Sequence, residues 1–394
     1  MNADMSLSPP TVSTTQKPSE PGSKQVIFWG TYDLSKPRTR ILRTGLQELG
    51  VEVIEIHAEI WPKHADKSQL NLTVMIRVFF RALLAYPLLI LRYLRAPRHD
   101  AVVVPYLGAL DTLVLWPFAQ LRRQRITWDM FLSLYDTVVN DRRMVSAKSL
   151  PGWLLWVTEW LACRAAHLVL LDTKAHAEHI ARIFNLPESQ FGAVPVGGEP
   201  GSFRRLPPPA CHDGPTRVLF YGQLIPLHGL KTILAAATSD RGRDIDWHLI
   251  GTGQERQLLE TALVNAEHNN IFWQKWLPYE ELTEAISKAD ICLGIFGASG
   301  KAASVVPNKV YQALLSGRSI ISRNSPAMIE TFGTEALGLK LIPHSNPEAL
   351  LDAIVELSRE GYPVMPADEL KMAQPQEIAK TLCRYLFHCA PQAG

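Results

Sequence analysis

Pro307, Asn308 and Lys309 stand near the middle of Ile291–Ile321, ICLGIFGASGKAASVVPNKVYQALLSGRSII. Ile291, Leu293 and Ile295 alternate as in a strand. A run of small residues follows, Gly297 to Ser304. Pro307 suits the first position of a helix, where its missing N–H costs nothing. That helix runs through Val310 and Leu314 to a stop at Ser316-Gly317. Val306 cannot cap its first amides, and Lys309 sits where the helix dipole disfavours a cation. Both anomalies are explained if an anion docks there, since free N–H groups and a lysine make a phosphate seat. The plain alternative is a lysine pointing to solvent, with Ser304 capping from an earlier start.

Other residues suited to chemistry lie at strand ends. Gly222, Gly251 with Gly253, and Gly297 each close a predicted strand. Glycine there lets a ligand approach the backbone at the carboxyl edge of a parallel sheet, although ordinary turn chemistry also accounts for glycines in such places. Gly30-Thr31-Tyr32 follows the first strand and would lie on the same kind of edge. It is not GxGxxG, so no dinucleotide is implied. Asp129 ends the strand-like Ile126-Thr127-Trp128-Asp129 and is the carboxylate expected to face a cleft, with Asp136 behind it. The competing reading is a loop acid capping backbone amides.

The elements that position these residues are βα units. Gln25–Trp29, Val51–Ile56 and Ala101–Val104 read as strands, with a helix from about Lys36 to Leu49. His167–Leu171, a helix from Lys174 to Phe184 and the short strand Ala193–Val196 continue the pattern. Trp153, Trp156 and Trp160 recur at helical spacing and read as packing residues. Leu206-Pro207-Pro208-Pro209 breaks the periodicity and marks a linker. Beyond it, strands at Arg217–Tyr221, Ile245–Ile250, Ile271–Trp273, Ile291–Ile295 and Ser319–Ile321 alternate with helices, and Leu339–Ile342 adds a sixth. The fold class is α/β, with two Rossmann-like doubly wound parallel-sheet domains. The expected boundaries are a disordered tail 1–24, a first domain 25–205, a linker 206–216, a second domain 217–365, and a closing segment 366–394 that carries a C-terminal helix.

Leu70 to Arg95 is apolar but carries Arg77, Arg81, Arg92 and Arg95. Its uncharged centre, Ala82 to Leu91, is too short to span a bilayer. At 100° per residue the four arginines fall within about 60°. This predicts an in-plane helix touching anionic headgroups, or else a core helix whose arginines face solvent.

Composition bounds the function. The 394 residues suffice for two domains, and an apolar fraction of 47% fills their cores. A net charge of +2 gives no nucleic-acid footprint. The five cysteines form no CxxC pair, so neither a disulfide framework nor a zinc site is indicated and a cytoplasmic protein is expected.

Four stretches carry a family likeness: Phe220–Leu234 (FYGQLIPLHGLKTIL), His248–Glu260 (HLIGTGQERQLLE), Trp276–Phe296 (WLPYEELTEAISKADICLGIF) and Pro307–Ile321 (PNKVYQALLSGRSII). In order and spacing the chain resembles glycosyltransferases of the two-Rossmann-domain GT-B fold, within the retaining group often called family 4. The resemblance implies that the two domains face across a cleft and that the closing helix returns to the first domain, with a nucleotide-sugar donor on the C-terminal domain and a lipid-linked or glycan acceptor on the N-terminal one. It further implies a cytoplasmic enzyme, peripheral on the inner face of the membrane, in cell-surface polysaccharide or glycolipid synthesis. No metal or other cofactor is expected, since the helix dipole and basic side chains hold the diphosphate. Donor-binding positions would be Gly222, Gln223, Gly251, Gly253, Lys301, Pro307, Asn308, Lys309 and Gln312. Gly30, Thr31 and Tyr32 would lie on the acceptor side, and Asp129, Asp136, His228 and Lys309 at the reacting centre.

The chain also departs from the family. Gln223 and His228 stand where an arginine and a lysine are usual, and Ser304 and Gln312 replace the Glu-x7-Glu pair. The usual N-terminal-domain histidine would fall near Phe131. These changes leave two other readings in play: a non-catalytic binding subunit of a membrane complex, or a sugar-nucleotide epimerase or phosphorylase on the same fold.

Overall fold

The structure, a computed structural model, describes residues 12–15, 22–34, 36–61, 72–199, 201, 203–208, 214–265 and 269–388. Two sheets organise them. The strands of the first are β1 (Val12–Thr15), β2 (Gln25–Gly30), β3 (Glu52–Ala58), β4 (Ala101–Val104), β5 (Ile126–Phe131), β6 (Leu168–Leu171) and β7 (Phe191–Ala193), in spatial order β1-β3-β2-β4-β5-β6-β7. The second holds β8 (Thr216–Tyr221), β9 (Ile245–Ile250), β10 (Ile271–Gln274), β11 (Ile291–Leu293), β12 (Ser319–Arg323) and β13 (Leu339–Ile342), in order β10-β9-β8-β11-β12-β13. All pairings are parallel except β1 on β3. This is the expected pair of Rossmann-like domains, with near-continuous Val/Ile/Leu runs buried between helices on both faces.

The strand β1 corrects one expectation. Residues 1–24 read as a disordered tail, yet Val12 to Thr15 pair with β3 in the register Val12↔Ala58. The β-branched residues of VSTT suit a strand, and pairing covers an edge of β3 that would otherwise be open. Much of the linker, 209–213, lies outside the described residues, as do Cys211 and Cys389.

The helix Leu72–Arg95 runs unbroken through Pro87. Val78, Ala82, Ala85, Leu89 and Tyr93 pack on the core, and Trp29 donates its indole N–H to the Leu89 carbonyl at 3.3 Å. The opposite face exposes Ile76, Phe79, Phe80, Leu83, Leu84, Leu88, Leu91 and Leu94. At 100° per residue the four arginines occupy one flank between these faces. Leu110, Trp116 and Leu121 of the helix Ala109–Leu121 are also exposed, as are Leu150, Trp153, Leu154 and Leu161 of the helix Leu150–Ala165. Trp153 therefore faces outward, whereas Trp156 and Trp160 stack at 5.9 Å against the core. No helix among the described residues is long and apolar enough to cross a membrane.

The closing helix Pro375–Cys383 leaves the second domain and packs on Pro37–Glu48 of the first. Gly45 is required at that crossing, because a Cβ there would lie 2.0 Å from the Pro375 carbonyl oxygen. Farther on, Tyr385 accepts the Ala193 amide hydrogen at 3.1 Å.

Candidate functional site

The helix Asn308–Leu315 begins without a side-chain cap, with Pro307 at its N-cap. Ser304 does not cap it, since its hydroxyl donates to the Lys301 carbonyl at 3.1 Å. Asn308 and Gln312, one turn apart, share a half-buried face. Lys309 does not point to solvent. It is 6% exposed, its Nζ lies 3.8 Å from the Phe220 ring centroid, and that nitrogen has no hydrogen-bond partner. Burial pushes the Lys309 ammonium well below the usual lysine range.

Lys309 ends beneath Gly222. A Cβ on Gly222 would lie 3.2 Å from both Lys309 Nζ and His228 Cε1, and φ there is 139°. Gly251 must be glycine for a similar reason: its Cβ would sit 1.8 Å from the Gly222 carbonyl oxygen. The βα turns after β8 and β9 thus nest together, with Leu224 donating its amide to the Thr252 carbonyl at 3.0 Å.

His228 completes this corner. Its Nδ1 lies against the Gln223 carbonyl. A carbonyl only accepts, so Nδ1 carries the proton and the neutral ring keeps a lone pair on Nε2. Burial, with Lys309 and Arg142 adding to it, pushes the imidazole well below its ordinary range. In this environment His228 is therefore a neutral ring.

The N-terminal domain closes over this corner with a one-turn π-helix, Asp136–Asp141. Asp136 accepts from His179 at 3.2 Å and Asn140 at 2.9 Å, while its Oδ2 is buried without a partner. Burial opposes its ionisation, but those hydrogen bonds and the Lys301 charge outweigh it and hold the carboxyl below its usual range. Lys301, also buried, donates to the Thr137 hydroxyl. Burial lowers its ammonium although Asp136 and Asp141 pull the other way. Asp141 accepts from the Ser299 hydroxyl at 2.7 Å, and Ser299 in turn caps the short helix Gly300–Ser304. Arg142 Nη2 crosses to the other domain and donates to Gln223 Oε1 at 3.1 Å.

A second clasp binds the domains. Asp172 accepts from His176 Nδ1 at 2.5 Å and from the Val306 amide at 3.2 Å. Thr173 donates to the Ser304 carbonyl at 2.5 Å, and Glu330 accepts the Lys174 and Ala175 amides at 2.7 and 3.0 Å. The N-terminus of the helix Lys174–Phe184 is thus satisfied by a carboxylate of the other domain.

Asp129 does not face the cleft. It is 0% exposed and ion-paired with Arg38, Nη2 to Oδ1 at 2.8 Å. Arg38 also donates to the Val194 and Pro195 carbonyls, both at 2.7 Å. A buried guanidinium requires such a partner, and the pair staples the first helix to β5 and the chain after β7. The Gly30-Thr31-Tyr32 loop is likewise engaged. Asp111 accepts the Thr31 amide at 2.8 Å and the Tyr86 hydroxyl at 2.9 Å, and Tyr32 donates to Glu55 at 3.2 Å. Phe131, where the resemblance expects a histidine, has φ 59° and stands edge-on to Tyr106 at 5.4 Å. Such backbone strain in a bulky residue is held by its surroundings.

The structure therefore gathers Gly222, Gln223, His228, Gly251, Gly253 and Lys309 at one carboxyl edge, with Lys301 and Asp136 at the domain boundary beside it. Sequence reasoning missed Arg142, Asp141, His179, Asp172 and Ser299. Of these, only Asp141 gave a signal, as a further carboxylate in the stretch that holds Asp129 and Asp136.

Residues 215–360 match the family model of glycosyl transferases group 1. Among solved structures, the chain superposes on sucrose-phosphate synthase from Thermosynechococcus elongatus with a TM-score of 0.64, at 15% identity over 93% of this chain and 100% of that one. It superposes on the lipopolysaccharide outer core galactosyltransferase WaaB at 0.60, with 14% identity over 93% and 100%. It also superposes on Anabaena HepE, in complex with UDP and glucose, at 0.60, with 11% identity over 92% and 99%. No curated protein matches the chain significantly. At these identities the superpositions speak for the fold. The fold is GT-B, and residues 215–360 are similar to group 1 glycosyl transferases.

Proposed function

We propose that the protein is a glycosyltransferase that moves a sugar from a nucleotide-sugar to an acceptor on the N-terminal domain, with retention at the anomeric carbon. The bond between that carbon and the diphosphate oxygen breaks, and its electron pair leaves with the nucleoside diphosphate. The acceptor oxygen bonds to the carbon, and its proton passes to the departing diphosphate. The protein's part is to orient the reactants and stabilise the leaving diphosphate. The observation that carries this reading is the buried, unpartnered Lys309 Nζ beneath Gly222 in a domain that matches group 1 glycosyltransferases. A buried amine with no partner is costly, and a docked diphosphate would remove the cost. The helix N-terminus at Pro307 and His228 face the same anion, Gly251 and Gly253 admit the nucleotide, and Asn308 and Gln312 offer amides to ribose hydroxyls. The reading gives the charge balance to these side chains and asks for no metal.

The acceptor is read as lipid-linked or a glycan. The exposed apolar faces of Leu72–Arg95, Ala109–Leu121 and Leu150–Ala165, flanked by Arg77 and Arg95, support seating on an anionic membrane surface. Incubation with a panel of nucleotide-sugars tests the enzyme: slow release of nucleoside diphosphate with one of them is expected. A second reading, a non-catalytic binding subunit, is favoured by Ser304, whose carbonyl is bound by Thr173 and whose side chain is buried. Tight nucleotide binding with no release or transfer would select it.

A further inference from the structure

We propose that Arg142 of the N-terminal domain supplies the guanidinium that the C-terminal domain lacks at Gln223, so that the donor diphosphate is gripped from both domains at once. The proposal rests on the reading above that the Gly222–Lys309 corner seats a nucleoside diphosphate.

Arg142 follows the π-helix, donating its amide to the Thr137 carbonyl at 2.9 Å. Arg143 then turns left-handed at φ 51°, so the chain reverses directly after Arg142. The reversal is fixed from the other domain, because Gln254 Nε2 donates to the Arg142 carbonyl at 2.9 Å. Gln254 follows the Gly251-Thr252-Gly253 turn, so the same loop that admits the nucleotide holds the arginine's backbone. The side chain reaches Gln223 Oε1 at 3.1 Å, and its Nε is buried with no hydrogen-bond partner.

Among the described residues the Arg142 guanidinium has no carboxylate within ion-pair distance, since nearby Asp141 is bonded to Ser299. Its positive charge favours ionisation of Asp141 and opposes protonation of His228 and Lys301. A guanidinium hydrogen-bonded to a neutral amide and repelled by the Lys301 ammonium gains from an added anion. A diphosphate between Gly222 and Lys309 supplies one, and the planar fork of arginine suits two phosphate oxygens. Because Arg142 and Lys309 come from different domains, donor binding also holds the domains together.

The test is calorimetric titration of the full chain with uridine and guanosine diphosphates, with melting temperature as a check on folding. Arg142→Gln should weaken binding about tenfold or more, as losing a charge-assisted bond implies. It should also flatten the salt dependence of the affinity. Arg142→Lys, which keeps the charge but not the fork, should fall between. Gln223→Arg in the Arg142→Gln background returns a guanidinium from the other domain and should recover most of the loss. Wild-type affinity in a folded Arg142→Gln protein overturns the proposal, and so does failure of Gln223→Arg to restore any binding while Arg142→Lys binds like wild type. If the wild-type protein binds neither nucleotide and releases none from any nucleotide-sugar, the underlying donor seat is what fails.

Discussion

Asp172, at the end of β6, accepts the amide hydrogen of Val306 in the other domain at 3.2 Å. Val306 leads into Pro307, so a carboxylate of the N-terminal domain fixes the entrance to the helix proposed to seat the donor. Its other oxygen takes His176 Nδ1 at 2.5 Å. Asp172→Ala leaves two buried donors without their acceptor, and each such loss costs about 1–3 kcal/mol. We expect a lower denaturation midpoint, recovered in large part by Asp172→Asn, whose amide oxygen can still accept from Val306. Equal midpoints for Ala and wild type would mean that this clasp does not hold the domains.

Arg38 and Asp129 provide a second test. Breaking a buried ion pair by removing one partner typically costs about 3–5 kcal/mol. Asp129→Asn and Arg38→Met should therefore lose stability in denaturant titrations, and any loss of turnover should follow the loss of folded protein. A fully stable Asp129→Asn protein with abolished turnover would restore the role of reacting base.

These pairs show where the sequence was legible and where it was not. Strands such as Ile245–Ile250 and the helix Lys174–Phe184 lie where periodicity and local caps put them, because those signals are carried within a few residues. The helix Pro326–Phe332 was missed although Ser325 followed by Pro326 is a local start signal, and Ser325 does accept the Met328 amide. Val12–Thr15 was missed because Ser, Thr and Pro around it resemble a tail. Asp129 was misread because its partner Arg38 is 91 residues away in the chain. Arg142 was invisible for the same reason, its partner Gln223 being 81 residues away in another domain.

Glu159 gives a pH prediction. It accepts from the Ser133 hydroxyl at 2.5 Å, the Leu134 amide at 2.6 Å and the Tyr135 amide at 3.1 Å, fixing the turn that leads into Asp136–Asp141. Burial pushes its carboxyl up to about 7 despite these bonds. A carboxyl raised on folding binds more protons in the native state, so its contribution to stability is present below the unfolded value and is lost as pH rises toward 7. Raising pH from 5 to 8 should cost wild type stability that Glu159→Gln does not lose, on the order of 3 kcal/mol. Parallel slopes for the two proteins would show that Glu159 is ionised throughout.

The helix Leu72–Arg95 predicts membrane binding. Changing Phe79, Phe80, Leu83 and Leu84 to Gln removes exposed apolar groups and should leave the fold stable. Binding to anionic vesicles should drop sharply. Changing Arg77 and Arg95 to Gln should weaken it further at low salt, by about 1 kcal/mol per charge. If the wild-type protein ignores such vesicles, the exposed face has another purpose.

The last prediction concerns Lys309. Alanine would leave a cavity against Phe220, so methionine, of similar length and without charge, is the better replacement. An amine whose folded value is depressed binds fewer protons in the native state, so its penalty is greatest at lower pH and fades as pH rises toward the ordinary lysine value. Lys309→Met should therefore be more stable than wild type at neutral pH, with the gap closing as pH rises. Its affinity for nucleoside diphosphate should fall about tenfold or more, since a charge-assisted bond is worth roughly 1.5–3 kcal/mol. Wild-type binding should also take up protons, because the anion favours the charged forms of Lys309 and His228. Titrations in buffers of different ionisation enthalpy measure that uptake, and Lys309→Met should reduce it. Unchanged affinity and unchanged proton uptake in Lys309→Met, for a nucleotide that does bind, would remove Lys309 from the donor site and leave its buried amine without a purpose.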